Sequence, residues 1–137
     1  MENKMFCFQC QETANCTGCT VSGVCGKKPD VAAMQDLLIY ATKGLSAVAE
    51  KLREEGKEVS KEVNHKVTMN LFITITNANF DKDAIIKNII ETFALRDSLR
   101  KELSDSINLP KAATVAVSPD DYAIFAQSIG VLSTENE

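Results

Sequence analysis

The fold is decided by residues 31–55, which read VAAMQDLLIYATKGLSAVAEKLREE. Apolar side chains recur in this stretch every three or four residues, the period that places them along one face of an α-helix. The members of that face are Leu37, Ala41, Leu45, Val48 and Leu52. Asp30 is suited to the N-cap position before the run, and Gly56 to the left-handed position after it. The stretch therefore predicts an amphipathic helix that buries one face in a core.

Three more helices are predicted downstream. Valines spaced four residues apart favour a second helix over residues 58–69. A run rich in isoleucine predicts a third helix from about residue 81 to about residue 103. Ser118 followed by Pro119 is typical of a helix start, and that last helix should stop near Gly130.

Two segments rich in β-branched residues are strand candidates. Residues 71–76 read LFITIT and residues 114–117 read TVAV. Propensity alone leaves the first segment open between a buried strand and a helix. Two short isolated strands cannot organise a sheet of any size. The sequence therefore predicts an all-α helical bundle over residues 30–137, preceded by a cysteine-rich loop over residues 1–29.

Composition excludes several classes of protein. With 137 residues, 45% hydrophobic and 25% charged, the chain has the size and composition of one soluble globular domain. Its net charge is −4 and no basic run exceeds the pair Lys27-Lys28, which disfavours nucleic acid as a partner. No apolar run of about 18 residues is present, which excludes a membrane span. Residues 1–10 lack the features of a secretory signal, so we expect a cytoplasmic protein.

All five cysteines fall between Cys7 and Cys25, in a glycine-containing stretch without helical or strand periodicity. Clustered cysteines in a reducing compartment usually bind metal. Cys7, Cys10, Cys16 and Cys19 give the spacing C-x2-C-x5-C-x2-C, a shortened form of a zinc site. Replacing Cys16 by Cys25 in the set gives C-x2-C-x8-C-x5-C, which favours an iron–sulfur cluster. Four thiolates suit either metal, so a zinc-stapled helical interaction module without catalysis is the alternative.

Longer stretches of the chain resemble one known family, the hybrid-cluster proteins, also called prismane proteins or hydroxylamine reductases. The resemblance is carried by MFCFQCQET (residues 5–13), TGCTV (17–21) and GVCGK (23–27). It continues through QDLLIY (35–40), Lys43-Gly44, TITNANFD (74–81) and IGVLSTENE (129–137), and so spans essentially the whole chain.

The resemblance implies a cofactor and its ligands. In that family the cysteines matching Cys7, Cys10, Cys19 and Cys25 hold a [4Fe-4S] cluster. Cys16 lies where the family motif does not require cysteine. The resemblance also implies that residues 71–76 are helical.

The resemblance further implies that the chain is the N-terminal part of a longer enzyme. In that enzyme hydroxylamine, or nitric oxide under nitrosative stress, is reduced at a hybrid iron–sulfur–oxygen cluster. The ligands of the hybrid cluster come from later domains and are absent here, so no catalytic residue is assigned and the fragment alone is expected to be inactive. The implied partners are those later domains and an electron donor, either a redox carrier or an NAD(P)H-dependent reductase.

Overall fold

The computed structural model describes residues 5–76, 81–104 and 108–130. The five α-helices in these ranges are α1 (Pro29–Glu54), α2 (Lys61–Ile75), α3 (Lys82–Arg100), α4 (Lys111–Thr114) and α5 (Tyr122–Ile129). The only β pairing in the same ranges is one isolated bridge within the cysteine loop, so the predicted all-α bundle is confirmed. In the part of the chain described, none of the helices has the length and apolar character needed to cross a membrane.

The long helix α1 is the centre of the bundle, because it contacts each of the other four helices. All five positions of its predicted apolar face are 0% exposed. Burying a side chain such as leucine or valine contributes about 1.5–3 kcal/mol, so this face is a main source of stability. The core that α1 forms with α3 and α5 contains Val31, Met34, Leu37, Leu38, Ala41, Ile85, Ile89, Phe93, Tyr122 and Ala126.

Of the two cap residues predicted for α1, the one at the start is wrong and the one at the end is confirmed. The helix begins at Pro29 with Lys28 as its N-cap, so Asp30 lies in the first turn. The reason is that proline has its backbone angle preset for a helix and lacks the N–H that the first turn leaves unpaired. At the other end Gly56 has φ 78 and its N–H donates to the Arg53 carbonyl at 3.0 Å, as predicted for a left-handed cap.

Helix α2 runs to Ile75 without a break, so the strand alternative for residues 71–76 is wrong and the helix implied by the family resemblance is confirmed. A buried side chain explains why packing overrides β propensity here. The Asn70 Nδ2 donates to Thr42 Oγ1 of α1 at 3.2 Å and to Thr92 Oγ1 of α3 at 2.8 Å. These hydrogen bonds join three helices and stabilise the docking of α2 against α1 and α3.

Helices α3 and α5 follow the predicted boundaries closely. The Asp81 carboxylate caps α3 by accepting from the N–H groups of Asp83 and Ala84 at 3.0 and 3.3 Å. A single turn of 3-10 helix, Pro119–Asp121, leads into α5, which ends before Gly130 as predicted. The predicted serine cap is not formed, because the Ser118 side chain makes no capping hydrogen bond.

The second strand candidate, residues 114–117, is wrong: the short helix α4 ends at Thr114, and residues 115–117 have no regular secondary structure. Two arginines of α3 bind the backbone of α4: Arg96 donates to the Ala112 carbonyl at 3.0 Å and Arg100 to the Ala113 carbonyl at 3.2 Å. Gly44 of α1 faces the same segment, and a Cβ there would lie 2.7 Å from the Ala112 carbonyl carbon. The absence of a side chain at Gly44 therefore allows α4 to dock against α1.

Candidate metal centre

The cysteine loop is folded back on itself by a backbone bridge between two of the predicted ligands. The Cys7 N–H donates to the Cys19 carbonyl at 3.0 Å, and the Cys19 N–H donates to the Cys7 carbonyl at 2.8 Å. This antiparallel pairing places residues 12 positions apart in the sequence directly opposite each other. Cys19 also packs with Met5 and with Ala32 of α1, which anchors the bridge to the bundle.

The sulfur of Cys19 lies among backbone N–H donors and near a positive charge. The sulfur accepts a hydrogen bond from the Ala14 N–H at 3.5 Å. That hydrogen bond, a second from the Val24 N–H and the positive charge of Lys27 lower the pKa of the Cys19 thiol, although burial opposes them. A thiolate stabilised by N–H donors is the form in which cysteine binds a metal.

A buried lysine lies beside the bridge. Lys27 is only 2% exposed, and its Nζ donates to Cys7 Sγ at 3.3 Å. Removing an ammonium group from water costs several kcal/mol unless an anion compensates it. The sulfur of Cys7 is the contact that the structure provides, which indicates that the loop is built to carry negative charge on sulfur.

The other cysteines are less constrained. Cys10 is partly buried, whereas Cys16 and Cys25 are exposed. Cys16 has the left-handed backbone angle φ 58. Within residues 5–76, 81–104 and 108–130, no three histidine, cysteine, aspartate or glutamate side chains are grouped closely enough to hold a metal ion. The structure thus brings Cys7 and Cys19 together, and does not gather all four predicted ligands.

Asp36, on α1, is a carboxyl group near the loop that the sequence did not single out. Burial raises the pKa of Asp36 to about 6, against the opposing charges of Lys27 and Lys43. Periodicity places Asp36 on a helix but cannot show that this face turns toward the cysteine loop. Lys27 had a weak signal in the sequence, because it is the first of two lysines that follow a glycine-containing segment just after the last cysteine.

We expect Asp36→Asn to stabilise the chain in a pH-dependent way. The folded-state pKa lies above the ordinary value of 3.8, so the folded chain binds this proton more tightly and loses stability as the pH rises from about 4 to about 6. The amide removes that penalty, and the free energy of unfolding should rise by about 2 kcal/mol near pH 7.5 and by about half as much near pH 5. Urea unfolding of the reduced, metal-free chain followed by circular dichroism measures both values.

A matched control for Asp36→Asn is Glu58→Gln, because Glu58 is exposed between α1 and α2 and makes no hydrogen bond or ion pair in the described part of the chain. This control should change the free energy of unfolding by less than about 0.5 kcal/mol at either pH. A gain from Asp36→Asn that is equal at the two pH values would contradict the titration argument.

Comparison with known proteins gives consistent matches. The sequence profile of the Prismane/CO dehydrogenase family matches residues 5–130. A hydroxylamine reductase of Desulfovibrio desulfuricans is 47% identical over 138 residues, covering 100% of this chain and 25% of that protein. A hydroxylamine reductase of Clostridium perfringens is 49% identical over 140 residues, covering 97% of this chain and 25% of that protein.

The chain thus spans about a quarter of the length of the curated relatives that it matches. The family match extends from the cysteine loop to the end of α5, over more than half of the chain. The resemblance seen in the cysteine motif is therefore confirmed, and the chain belongs to the Prismane/CO dehydrogenase family.

Proposed function

We propose that this chain is the N-terminal electron-entry domain of a hydroxylamine reductase-like hybrid-cluster protein, and that Cys7, Cys10, Cys19 and Cys25 hold a [4Fe-4S] cluster. The observation that carries the proposal is the buried amine of Lys27 against Cys7 Sγ, at 3.3 Å. Thiolate ligands give an iron–sulfur cluster negative charge, which compensates the charge of a buried cation. Neutral thiols would not compensate that charge. Family membership supports iron–sulfur chemistry at the same residues.

The residues of the loop fit this cofactor in their donor chemistry. Cys7 and Cys19 are held opposite each other by backbone hydrogen bonds, and the Cys19 sulfur receives N–H donors from Ala14 and Val24. N–H donors to sulfur are a usual means by which proteins tune iron–sulfur clusters. Cys10 and Cys25 would complete the set of four ligands. When bound, the cluster supplies one-electron transfer.

The catalytic step belongs to the rest of the longer protein. There hydroxylamine takes two electrons and two protons to give ammonia and water at the hybrid cluster, and nitric oxide reduction is a second activity of the same site. A redox carrier or an NAD(P)H-dependent reductase delivers the electrons. We place the chain in the cytoplasm, where thiols are kept reduced and clustered cysteines can bind metal.

The outer face of α2 carries exposed apolar side chains, which supports the presence of partner domains. Four large apolar side chains on it are between 40% and 54% exposed: Met69, Leu71, Phe72 and Ile75. Clustered exposed apolar side chains mark interaction surfaces. We assign this face to the remaining domains of the longer protein, because relatives extend over about four times the length of this chain.

Anaerobic purification followed by metal and sulfide analysis tests the proposal. We expect about four iron and about four sulfide per chain with broad absorbance near ~400 nm, which are the properties of a thiolate-bound [4Fe-4S] cluster. We also expect no hydroxylamine reduction by residues 1–137 with a chemical reductant, because no motif in this chain supplies the hybrid cluster. A colourless chain holding tightly bound zinc would support the interaction module instead.

A further inference from the structure

Lys27 is buried beside the cysteine loop although its side chain carries a charge. It is 2% exposed, and its Nζ donates to Cys7 Sγ at 3.3 Å. A backbone turn fixes the residue: the Gly23 N–H donates to the Lys27 carbonyl at 2.7 Å, and the Gly26 N–H donates to the Gly23 carbonyl at 2.9 Å. This turn fixes the backbone from which the Lys27 side chain extends to Cys7.

The charges around Lys27 leave sulfur as its main counter-charge. None of the ion pairs formed by the described residues involves Lys27. The charge of Lys27 interacts with Cys7 by direct contact, and with Cys19 and Asp36 at longer range. A buried cation is strongly destabilising unless negative charge compensates it. Asp36 supplies some of that charge at longer range, and the Cys7 sulfur is the group in contact with the amine.

We propose that Lys27 is a positioning residue whose fixed positive charge raises the reduction potential of the cluster held by the loop. This inference rests on the proposed function. An external low-potential donor supplies one electron, no bond breaks and no proton moves, and the negative charge of the thiolate-bound site increases by one. A cation in contact with one ligand stabilises this extra charge, because the Lys27 side chain is buried and its contact with Cys7 is poorly screened by water.

The size of the effect follows from the distance and the burial. At hydrogen-bond distance from a ligand, loss of the charge should disfavour reduction by at least about tenfold. For a one-electron couple a tenfold change in the equilibrium constant is about 59 mV. The same loss of charge at an exposed position should be largely screened by salt.

Anaerobic redox titration of the cluster-loaded 137-residue chain, followed by visible absorbance and electron paramagnetic resonance, tests the inference with four variants. Lys27→Met and Lys27→Gln remove the charge, and Lys27→Arg keeps it. Lys28→Met removes the neighbouring charge from an exposed side chain and is the matched control. We expect the two neutral variants at Lys27 to show a potential lower by about 59 mV or more, and the Lys27→Arg and Lys28→Met variants to stay close to the unmodified chain.

Each outcome decides the inference. Neutral variants that load the cluster and keep the original potential would overturn it, while the proposed function would stand. A further outcome is that the neutral variants keep their helical signal but load no cluster. Cluster loading by the Lys27→Arg variant would then support the requirement for charge. Failure of the Lys27→Arg variant to load a cluster would overturn the inference. If the unmodified chain itself takes up no iron and sulfide, the proposed function fails and this inference fails with it.

Discussion

Cys19→Ser and Cys25→Ser are each expected to abolish stable cluster incorporation, whereas Cys16→Ser is expected to retain it. Cys19 is 5% exposed, it is bridged to Cys7, and its sulfur already receives backbone N–H donors. A serine hydroxyl is a hard, protonated oxygen and is a poor substitute for a soft thiolate ligand. Iron per chain after anaerobic reconstitution should therefore fall close to background in the first two variants.

Cys16→Ser is the matched control for the two ligand variants, since it makes the same change of atom within the same loop. Cys16 is exposed and lies in a 3-10 turn with a left-handed backbone. Circular dichroism should show that all three variants keep their helices, because the bundle core lies outside the loop. Equal loss of iron in all three variants would show that the set of four ligands is chosen wrongly.

Gly44→Ala is expected to destabilise the bundle by about 3 kcal/mol, at the upper end of the usual cost of overpacking. Helix propensity alone predicts the opposite sign, because alanine in a helix interior is favoured over glycine by up to about 1 kcal/mol. The new Cβ would lie 2.7 Å from the Ala112 carbonyl carbon. Backbone atoms cannot rotate to relieve this contact as a flexible side chain can. Helix α4 must then move off α1, which strains its hydrogen bonds from Arg96 and Arg100.

Urea unfolding of the Gly44→Ala variant measures both the sign and the size of this effect. Glu50→Ala serves as the control on the same helix, because Glu50 is exposed and its change should stay within about 0.5 kcal/mol. A Gly44→Ala variant more stable than the unmodified chain would mean that α4 does not pack against α1 as described.

Sequence patterns predicted the parts of the fold that depend on local chemistry. The apolar period of α1, the glycine cap at Gly56 and the acidic start of α3 at residue 81 are set by residues close together in the chain. The strand candidate at 114–117 failed because its conformation is set from a distance. Gly44 and Arg96 hold α4, which leads into that segment, and Arg100 donates to the Thr114 carbonyl at 3.3 Å.

The candidate metal centre was also predictable from the sequence only in part. Cysteine spacing and the family resemblance selected four ligands, and the structure places two of them opposite each other. Neither pattern nor spacing could predict that Lys27 is buried against Cys7, since burial depends on the turn from Gly23 and on how the loop packs onto α1. Charged side chains are mostly exposed, so a sequence gives no reason to expect a buried lysine.

The backbone bridge between Cys7 and Cys19 has a consequence for cofactor binding. Its two hydrogen bonds use main-chain atoms only, so they do not depend on either thiol. The entropy of closing the loop between these two residues would then be spent during folding and not during metal capture. For the four ligands that we propose, we therefore expect Cys7 and Cys19 to need less ordering on metal binding than the more exposed Cys25.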